Sequence, residues 1–374
     1  MTSTAESERV FVPFALERWF AAQPRPSVCD LSASGAIPLA LDELLAVASA
    51  GERVDFARSS LGYGPGDGSK ALRSIIAQRY TGVRASDVVV TCGAIEALHL
   101  SMSAIVSAGD EVIVQRPMYP AAAGIARALG ARVVPWDLEE RCGYRANVDS
   151  LARLLTPATR LVAITQPNNP TGVVLEHDEL GALVDLIDPL GAWLLSDEVY
   201  RDLALEPGLA AVSAAERYAR AISVGDVTKP FGLGGLRVGW LVTHDADLRE
   251  RIQARRDYTT LSVPTLSDAL ARIALRHSAE LLAQPIANGR ENLRALAAMA
   301  ARDHALSFVP PRGGLTAFVG VNGAAALQRR LAAAGILVVP GELFDCPGQL
   351  RVWLGGSTGE FAIALAEIER LLSG

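Results

Sequence analysis

A lysine beside a glycine-rich segment is the residue of this chain best suited to covalent chemistry. The 374-residue sequence holds two lysines, Lys70 and Lys229, so a reaction that needs a primary amine has two candidates. Lys229 closely follows the apolar run 221–224, and the glycines around it leave the backbone open to a bulky ligand. Arg237, eight residues beyond Lys229, offers a guanidinium that suits a phosphate. We therefore expect Lys229 to be the reactive amine and Lys70, at the start of a helical pattern, to be a surface charge.

Acidic and amide side chains follow two other apolar runs. Asp197 closely follows the apolar residues 193–195, and Tyr200 comes three residues later. A carboxylate at the end of a buried strand must be paired, because a lone charge in a low-dielectric site is costly, and a protonated ring nitrogen would be such a partner. Asn169 lies in the turn 166–172, whose proline, asparagine and glycine residues are typical of turns in any protein. Each of these two motifs is a weak signal by itself.

A strand-to-helix junction supplies a candidate anion site. Gly93, Ala94 and Ile95 stand between the apolar run 87–90 and a helical pattern over 94–106. Free amides at the start of such a helix can hold a phosphate, assisted by the helix dipole. The junction is common in proteins, so its meaning depends on the other motifs.

Apolar, β-branched runs alternate with helical patterns through the middle of the chain, and these elements must position the motifs. The apolar spacing between the runs predicts helices such as 118–129, which follows Pro117. This alternation predicts an α/β fold with a mostly parallel sheet covered by helices. Ligands of such sheets bind beyond the carboxyl ends of the strands, and all four motifs follow a run. Seven runs have the length of strands: 87–90, 111–114, 132–134, 160–164, 193–195, 221–224 and 238–242.

The last third of the chain has a different pattern. From about residue 245 it turns to long helices rich in Ala, Leu and Arg. Short apolar runs then follow at 307–309, 315–318, 336–339 and 350–353. This part predicts a second, smaller α+β domain, and the cleft between the two domains is the expected site.

Composition excludes several classes of protein. Half of the residues are hydrophobic and 20% are charged, which excludes a disordered chain, and a net charge of -6 without a basic block argues against nucleic-acid binding. No apolar run reaches the roughly 18 residues that a membrane span needs. Residues 1–10 lack the basic start and the apolar stretch of a signal peptide, so we expect a cytoplasmic protein. The 4 cysteines and 5 histidines are scattered, which predicts neither a metal site nor a disulfide framework.

Together and in this order, the four motifs resemble those of the fold-type I pyridoxal 5'-phosphate (PLP) enzymes of the class I/II aminotransferase family, over nearly the whole chain. The resemblance implies a seven-stranded large domain at 46–245, a small domain at 1–45 and 246–374, and a homodimer with shared active sites. It implies that Lys229 forms a Schiff base with PLP, that Asp197 pairs with the pyridine nitrogen, and that Tyr200 and Asn169 donate to the ring hydroxyl.

The same resemblance assigns the remaining cofactor contacts. Arg237 and the amides of the junction at Gly93, Ala94 and Ile95 would hold the phosphate, with Thr228 next to the lysine. Tyr119 stands at the position of the aromatic residue that stacks on the ring. Tyr63 matches a tyrosine that reaches the phosphate bound by the neighbouring subunit.

Two further matches concern the substrate, and one position departs from the family. Arg351 resembles the small-domain arginine that grips the α-carboxylate of an amino acid, and Gly35 matches the glycine whose amide touches the same carboxylate. Asp226 stands three residues before Lys229, where the family has a serine or threonine that contacts the phosphate. A carboxylate there must be protonated, turned away or paired, because it would repel a phosphate dianion.

The resemblance implies an aminotransferase that moves the α-amino group of an L-amino acid to a 2-oxo acid. A second outcome stays open, because residues 32–35, 256–262 and 312–318 resemble the capreomycidine synthase branch, which eliminates and cyclises a hydroxyarginine in natural-product biosynthesis. A third reading is a PLP-sensing regulatory domain of the kind fused to transcription factors. Such proteins carry an additional basic helix-turn-helix region, for which the short acidic stretch before Gly35 leaves little room.

Overall fold

The predicted apolar runs form strands in the computed structural model, which describes residues 12–302 and 305–372. The polar N-terminal residues 1–11, including those on which the expected absence of a signal peptide rests, lie outside the described residues. The strands are β1 (Cys29–Asp30), β2 (Val88–Thr91), β3 (Glu111–Arg116), β4 (Arg132–Asp137), β5 (Thr159–Thr165), β6 (Trp193–Asp197), β7 (Ala221–Asp226), β8 (Gly239–Val242), β9 (Leu306–Phe308), β10 (Thr316–Val321), β11 (Ile336–Leu337), β12 (Val339–Pro340) and β13 (Gln349–Trp353).

Seven of these strands form one central sheet in the order β2-β8-β7-β6-β5-β3-β4. Strand β8 runs antiparallel to both of its neighbours, and the other pairs are parallel. The middle strands β6 and β7 are buried along their whole length, as expected for strands covered by helices on both faces. The predicted α/β fold with a mostly parallel seven-stranded sheet is confirmed.

Helices follow most strands of the sheet and cover it. Helix α5 begins directly after Gly93, which has the positive φ of 78° that glycine adopts easily. The helices are α1 (Ala15–Ala22), α2 (Leu41–Val47), α3 (Ala50–Ala57), α4 (Lys70–Ala77), α5 (Ala94–Ile105), α6 (Ala121–Ala128), α7 (Val148–Ala152), α8 (His177–Ile187), α9 (Thr228–Phe231), α10 (Ala246–Arg256), α11 (Thr265–Arg276), α12 (Ser278–Arg302), α13 (Ala324–Ala333) and α14 (Thr358–Leu372).

The helix predicted over 118–129 is shorter than the sequence pattern indicated. Helix α6 begins only after Pro120, because a proline disfavours the helical conformation of the residue before it, here Tyr119. Met118 and Tyr119 therefore stay in the turn that follows β3, at the carboxyl edge of the sheet. This shift leaves Tyr119 free to face the site.

A second, antiparallel sheet has the order β12-β13-β10-β9 and lies in the last part of the chain. The run predicted at 336–339 splits into two short strands with different partners: β12 pairs with β13, and β11 pairs in parallel with β1. The N-terminal segment is thereby joined to the C-terminal part. The domain boundaries at residues 45 and 245 stay a prediction.

No helix within 12–302 and 305–372 is both long and apolar enough to cross a membrane. The same residues contain no group of three or more His, Cys, Asp or Glu side chains that could hold a metal ion. The four cysteines are free thiols, and that of Cys142 is exposed.

Candidate active site

A cavity of about 390 Å³ lies at the carboxyl edge of the central sheet. It brings together residues from all four sequence motifs, which come from the ends of β2, β5, β6 and β7. Of the predicted site residues, those that line it are Ala94, Ile95, Tyr119, Asn169, Asp197, Tyr200, Thr228, Lys229 and Arg237. Gly93, Gly35 and Arg351 contact these lining residues from behind, as described below.

Lys229 lies in the short helix α9, directly after β7. Its Nζ donates a hydrogen bond to Ser34 Oγ at 3.1 Å. The amide of Ala36 donates to the Lys229 carbonyl at 2.8 Å, and a Cβ atom on Gly35 would lie 3.0 Å from Lys229 Cα. The N-terminal segment therefore packs directly on the backbone of the lysine, and a side chain at position 35 would crowd that backbone.

Two carboxyl groups lie near Lys229 and both are buried. Burial, with a smaller contribution from the charge of the neighbouring Asp226, raises the pKa of Asp197 to about 7. Burial also raises the pKa of Asp226, whose Oδ1 accepts hydrogen bonds from the amides of Thr228 and Lys229 at 3.1 and 3.2 Å. Asp226 is thus held by the start of α9, and Asp197 fits a cationic partner in the cavity.

A hydrogen-bonded chain connects Tyr200 to Arg351. Asn169 Nδ2 donates to the Tyr200 hydroxyl at 3.1 Å, and Arg351 Nη1 donates to Asn169 Oδ1 at 3.2 Å. Arg351 Nη2 donates to the Ser32 carbonyl, while Nε is buried and has no hydrogen-bond partner among the described residues. Burial lowers the pKa of Arg351 to about 10. An open N–H on a buried guanidinium fits a carboxylate ligand, because such a donor is costly to leave unpaired.

The start of α5 and Arg237 form the other end of the cavity. Arg237 Nη2 donates to the Cys92 carbonyl at 3.4 Å, and a Cβ atom on Gly93 would lie 2.4 Å from the same nitrogen. The hydroxyl oxygen of Thr228 is buried and has no partner in the described part of the chain. Helix amides, a guanidinium and an open hydroxyl are the donors that hold a phosphate, so the fit to the phosphate of PLP is good.

The aromatic wall of the cavity is extended by an element that the sequence did not point to. The Tyr119 hydroxyl donates to Glu17 Oε1 at 2.7 Å, and the ring of Phe14 lies 5.2 Å from that of Tyr119. Phe14 and Glu17 line the cavity from the start of α1, and the sequence analysis predicted neither of them, nor the contact of Ser34 with Lys229. No local pattern marks α1 as part of the site, because its position is fixed by the packing of Leu16 in a distant core.

Tyr63 is the one predicted cofactor residue that the chain does not bring to the cavity. Its side chain is 92% exposed, in the loop before α4. A contact with a phosphate would need a second copy of the chain, so this role stays a prediction. Lys70, the other lysine, is exposed at the first position of α4.

Comparisons with known proteins give a consistent result. The profile of the family described as "Aminotransferase class I and II" matches residues 33–368. The capreomycidine synthase of Streptomyces vinaceus is 34% identical over 96% of this chain and 93% of its own length. Among solved structures, a PLP-dependent aminotransferase from Streptococcus suis 89-1591 is similar, with a TM-score of 0.91, 29% identity and coverage of 97% of this chain and 98% of that one. The PLP-dependent cyclase OrfR has a TM-score of 0.89 and 31% identity, with 99% of both chains covered.

Proposed function

Because the chain belongs to the class I and II aminotransferase family, whose cofactor is PLP, we propose that it transfers the α-amino group of an L-amino acid to a 2-oxo acid. The observation that carries the proposal is that Lys229, Asp197, Asn169 and Tyr200 line one cavity. Arg351, hydrogen-bonded to Asn169 behind it, completes the set of groups that such a reaction needs.

The residues of the cavity are assigned to the parts of the cofactor by their chemistry. Bound PLP supplies an electron sink that stabilises negative charge at the α-carbon of the substrate. Asp197 would hold the protonated ring nitrogen, and Asn169 and Tyr200 the ring hydroxyl. The phosphate would be held by Arg237, by Thr228 Oγ and by the first amides of α5.

Lys229 is assigned the proton transfers. We propose that Lys229 would be the covalent attachment point of PLP, and that its free Nζ would remove the α-proton of the substrate as a general base and return it as a general acid. Ser34 Oγ, at 3.1 Å, orients Nζ. Arg351 and the Gly35 amide would fix the α-carboxylate, so that the α-carbon faces Lys229.

The test is a product assay on the purified holoenzyme. The enzyme is incubated with each common L-amino acid together with 2-oxoglutarate or pyruvate, and glutamate, alanine and the new 2-oxo acid are measured by mass. Equal amounts of the two products support amino-group transfer. Release of ammonia, or a cyclic product without glutamate or alanine, contradicts it.

A second candidate is an elimination and ring closure on an arginine-like amino acid. It is favoured by the similarity to capreomycidine synthase over nearly the whole chain and to the cyclase OrfR. Lys229 would remove the same α-proton, and loss of water from a β-hydroxyarginine would precede attack by a guanidine nitrogen. The same assay with β-hydroxyarginine and no 2-oxo acid separates the candidates, because a product lighter by one water supports this second reaction.

We further propose that the active enzyme is a homodimer in which Tyr63 completes the site of the neighbouring subunit. The support is that Leu61 and Tyr63, large side chains of one loop, are 81% and 92% exposed in the single chain. Sedimentation measures the oligomeric state. In a dimer with shared sites, Tyr63→Phe weakens PLP binding although the residue lies outside its own chain's cavity.

A further inference from the structure

One carboxylate in the cavity wall has no part in the functions assigned above. Three carboxyl groups line the cavity, and Asp197 and Asp226 are buried at strand ends close to Lys229. The third, Glu17, belongs to α1 on the opposite wall and is only partly buried. Its position makes it accessible to a ligand that enters the cavity.

Glu17 is held in a defined place. Its Oε1 accepts the hydrogen bond of the Tyr119 hydroxyl at 2.7 Å. The neighbouring Leu16 is fully buried in a cluster that includes Phe318 and Phe344. The packing of Leu16 fixes the rotation of α1 and so the direction of Glu17. The side chain is therefore part of a built wall rather than a free surface charge.

No cation of the described residues forms an ion pair with Glu17. The Tyr119 hydroxyl is its hydrogen-bond partner there, and no Lys, Arg or His side chain forms an ion pair with it. The hydroxyl occupies one carboxylate oxygen, which leaves the other available, since an ionised carboxylate can accept several hydrogen bonds. A partly buried carboxylate without an ion-pair partner favours a positively charged ligand.

Glu17 and Arg351 are both connected to this cavity by hydrogen bonds. Glu17 lines it and accepts from Tyr119, and Arg351 donates to Asn169, which also lines it. Arg351 has an open N–H for a carboxylate, and Glu17 has an open oxygen for a cation. The two groups are thus complementary to the two charges of an amino acid with a basic side chain.

We propose that Glu17 recognises the substrate by binding a cationic side chain, a guanidinium or an ammonium, while Arg351 binds the α-carboxylate. This inference rests on the proposed function for the orientation of the substrate, and it holds for either reaction outcome. A neutral side chain of the same shape would leave the carboxylate unpaired, which a site built for a charged group rejects strongly.

The test compares two amino acids of nearly the same shape. L-Arginine and L-citrulline differ mainly in the charge of the side-chain end, and binding of each to the holoenzyme is measured by titration calorimetry. We expect the wild-type protein to bind L-arginine at least about tenfold more tightly. L-Lysine and L-ornithine form a second arm, which distinguishes an ammonium from a guanidinium ligand.

The informative variant is Glu17→Gln, which removes the charge and keeps an oxygen that can accept the Tyr119 hydroxyl. We expect it to lower L-arginine affinity by roughly 10- to 100-fold and to leave L-citrulline affinity unchanged. Arg18→Gln changes an exposed charge on the same helix and should leave both affinities unchanged. A melting temperature equal to that of the wild type shows that α1 is still in place in Glu17→Gln. Tyr119→Phe removes the hydroxyl that donates to Glu17, and we expect a smaller loss of L-arginine affinity in this variant.

The outcomes separate this inference from the proposed function. Equal binding of L-arginine and L-citrulline by the wild type, or an equal loss of both in Glu17→Gln, overturns the role of Glu17 even if amino-group transfer is observed. Charge-selective binding that depends on Glu17 in an enzyme that forms no product from any amino acid supports the inference and overturns the proposed function.

Discussion

At the scale of single residues, the two lysines differ in what surrounds them. Lys70 is exposed, whereas Lys229 lies in a cavity wall with its amine on the Ser34 hydroxyl. The chain uses arginine for almost every other basic position. Arginine could not replace Lys229, because a guanidinium stays protonated and neither forms an imine nor moves a proton near neutral pH.

This difference predicts the outcome of replacing each lysine. Borohydride reduction of the holoenzyme should attach PLP covalently to the wild-type protein and to Lys70→Ala, but not to Lys229→Ala. Intact-protein mass spectrometry detects the adduct, and turnover should disappear with it. A covalent adduct in Lys229→Ala would contradict the assignment of Lys229 as the amine that binds PLP.

Replacing each of the two arginines of the site by lysine should affect a different quantity, the KM for the amino acid in one variant and the PLP affinity in the other. Arg351→Lys loses the planar pair of donors for a carboxylate, so the KM for the amino acid should rise roughly 10- to 100-fold with little change in PLP affinity. Arg237→Lys should instead weaken PLP binding and leave KM nearly unchanged when PLP is in excess. Steady-state kinetics and a PLP titration of the apoenzyme measure the two quantities. The same response in both variants would mean that the two ends of the cavity are assigned wrongly.

At the scale of elements, the junction between β2 and α5 forms the end of the cavity that we propose holds the phosphate. Gly93 has a φ of 78°, and the space where its Cβ would be is taken by the guanidinium of Arg237. The turn therefore needs a glycine both for its backbone conformation and for the approach of Arg237. Helix α5 then presents its first amides beside that guanidinium.

Gly93→Ala should lower PLP affinity by about tenfold or more, because the new methyl group displaces Arg237. Gly82→Ala is the matched control: Gly82 has a φ of 75°, and nothing lies within 4 Å of its Cβ position. Both variants should lose about 1–3 kcal/mol of stability from strain at a positive φ. Only Gly93→Ala should lose affinity for PLP in a titration. An equal loss of PLP affinity in Gly82→Ala would mean that backbone strain, rather than displacement of Arg237, causes the effect.

Most of the sheet and its motifs could be predicted from the sequence because they are local. Lys229, Asp197 and Asn169 each follow an apolar run closely, and the carboxyl ends of neighbouring parallel strands must meet. Glu17 could not be predicted in this way. Its helix is placed by the contact of Leu16 with residues about 300 positions away, such as Phe318, and no short pattern encodes such a contact.

The start of α6 shows the same limit on a smaller scale. The apolar spacing of residues 118–129 is helical, yet the helix begins after Pro120. The position of Tyr119 depends on that shift of three residues. The start of the helix is set by Pro120 in the preceding turn rather than by the apolar periodicity.

At the scale of the whole molecule, buried acids should make the apoenzyme sensitive to pH. Burial raises the pKa of Asp197 from 3.8 to about 7 and also raises the pKa values of Asp226 and Glu198. Between these pKa values the folded state keeps protons that the unfolded state has lost. The contribution of these groups to the free energy of unfolding is therefore greatest below about pH 4, and it falls as the pH rises to about 7.

Urea unfolding of the apoenzyme at pH 5 and pH 8 measures this effect. We expect lower stability at pH 8, with an Asp197 share of at most about 3 kcal/mol between these two pH values. Asp197→Asn should reduce the dependence of the unfolding free energy on pH. Asp149→Asn, at an exposed position, should leave that dependence unchanged. Bound PLP should also flatten it, because a cation beside Asp197 lowers the pKa of that carboxyl. A wild-type apoenzyme that gains stability from pH 5 to pH 8 would contradict the prediction.

The pairing of β1 with β11 has a consequence for how the protein is made. Cys29 lies opposite Ile336, so the segment that carries Gly35 reaches its partner only after about 300 further residues have left the ribosome. At roughly 5–20 residues per second, that takes about 15 to 60 s. During this time the central sheet can already form. The cavity wall that contains Glu17 can form only after the C-terminal residues that pack against Leu16 have been synthesised. The nascent protein thus has the lysine of its site well before it has the groups that would select a substrate.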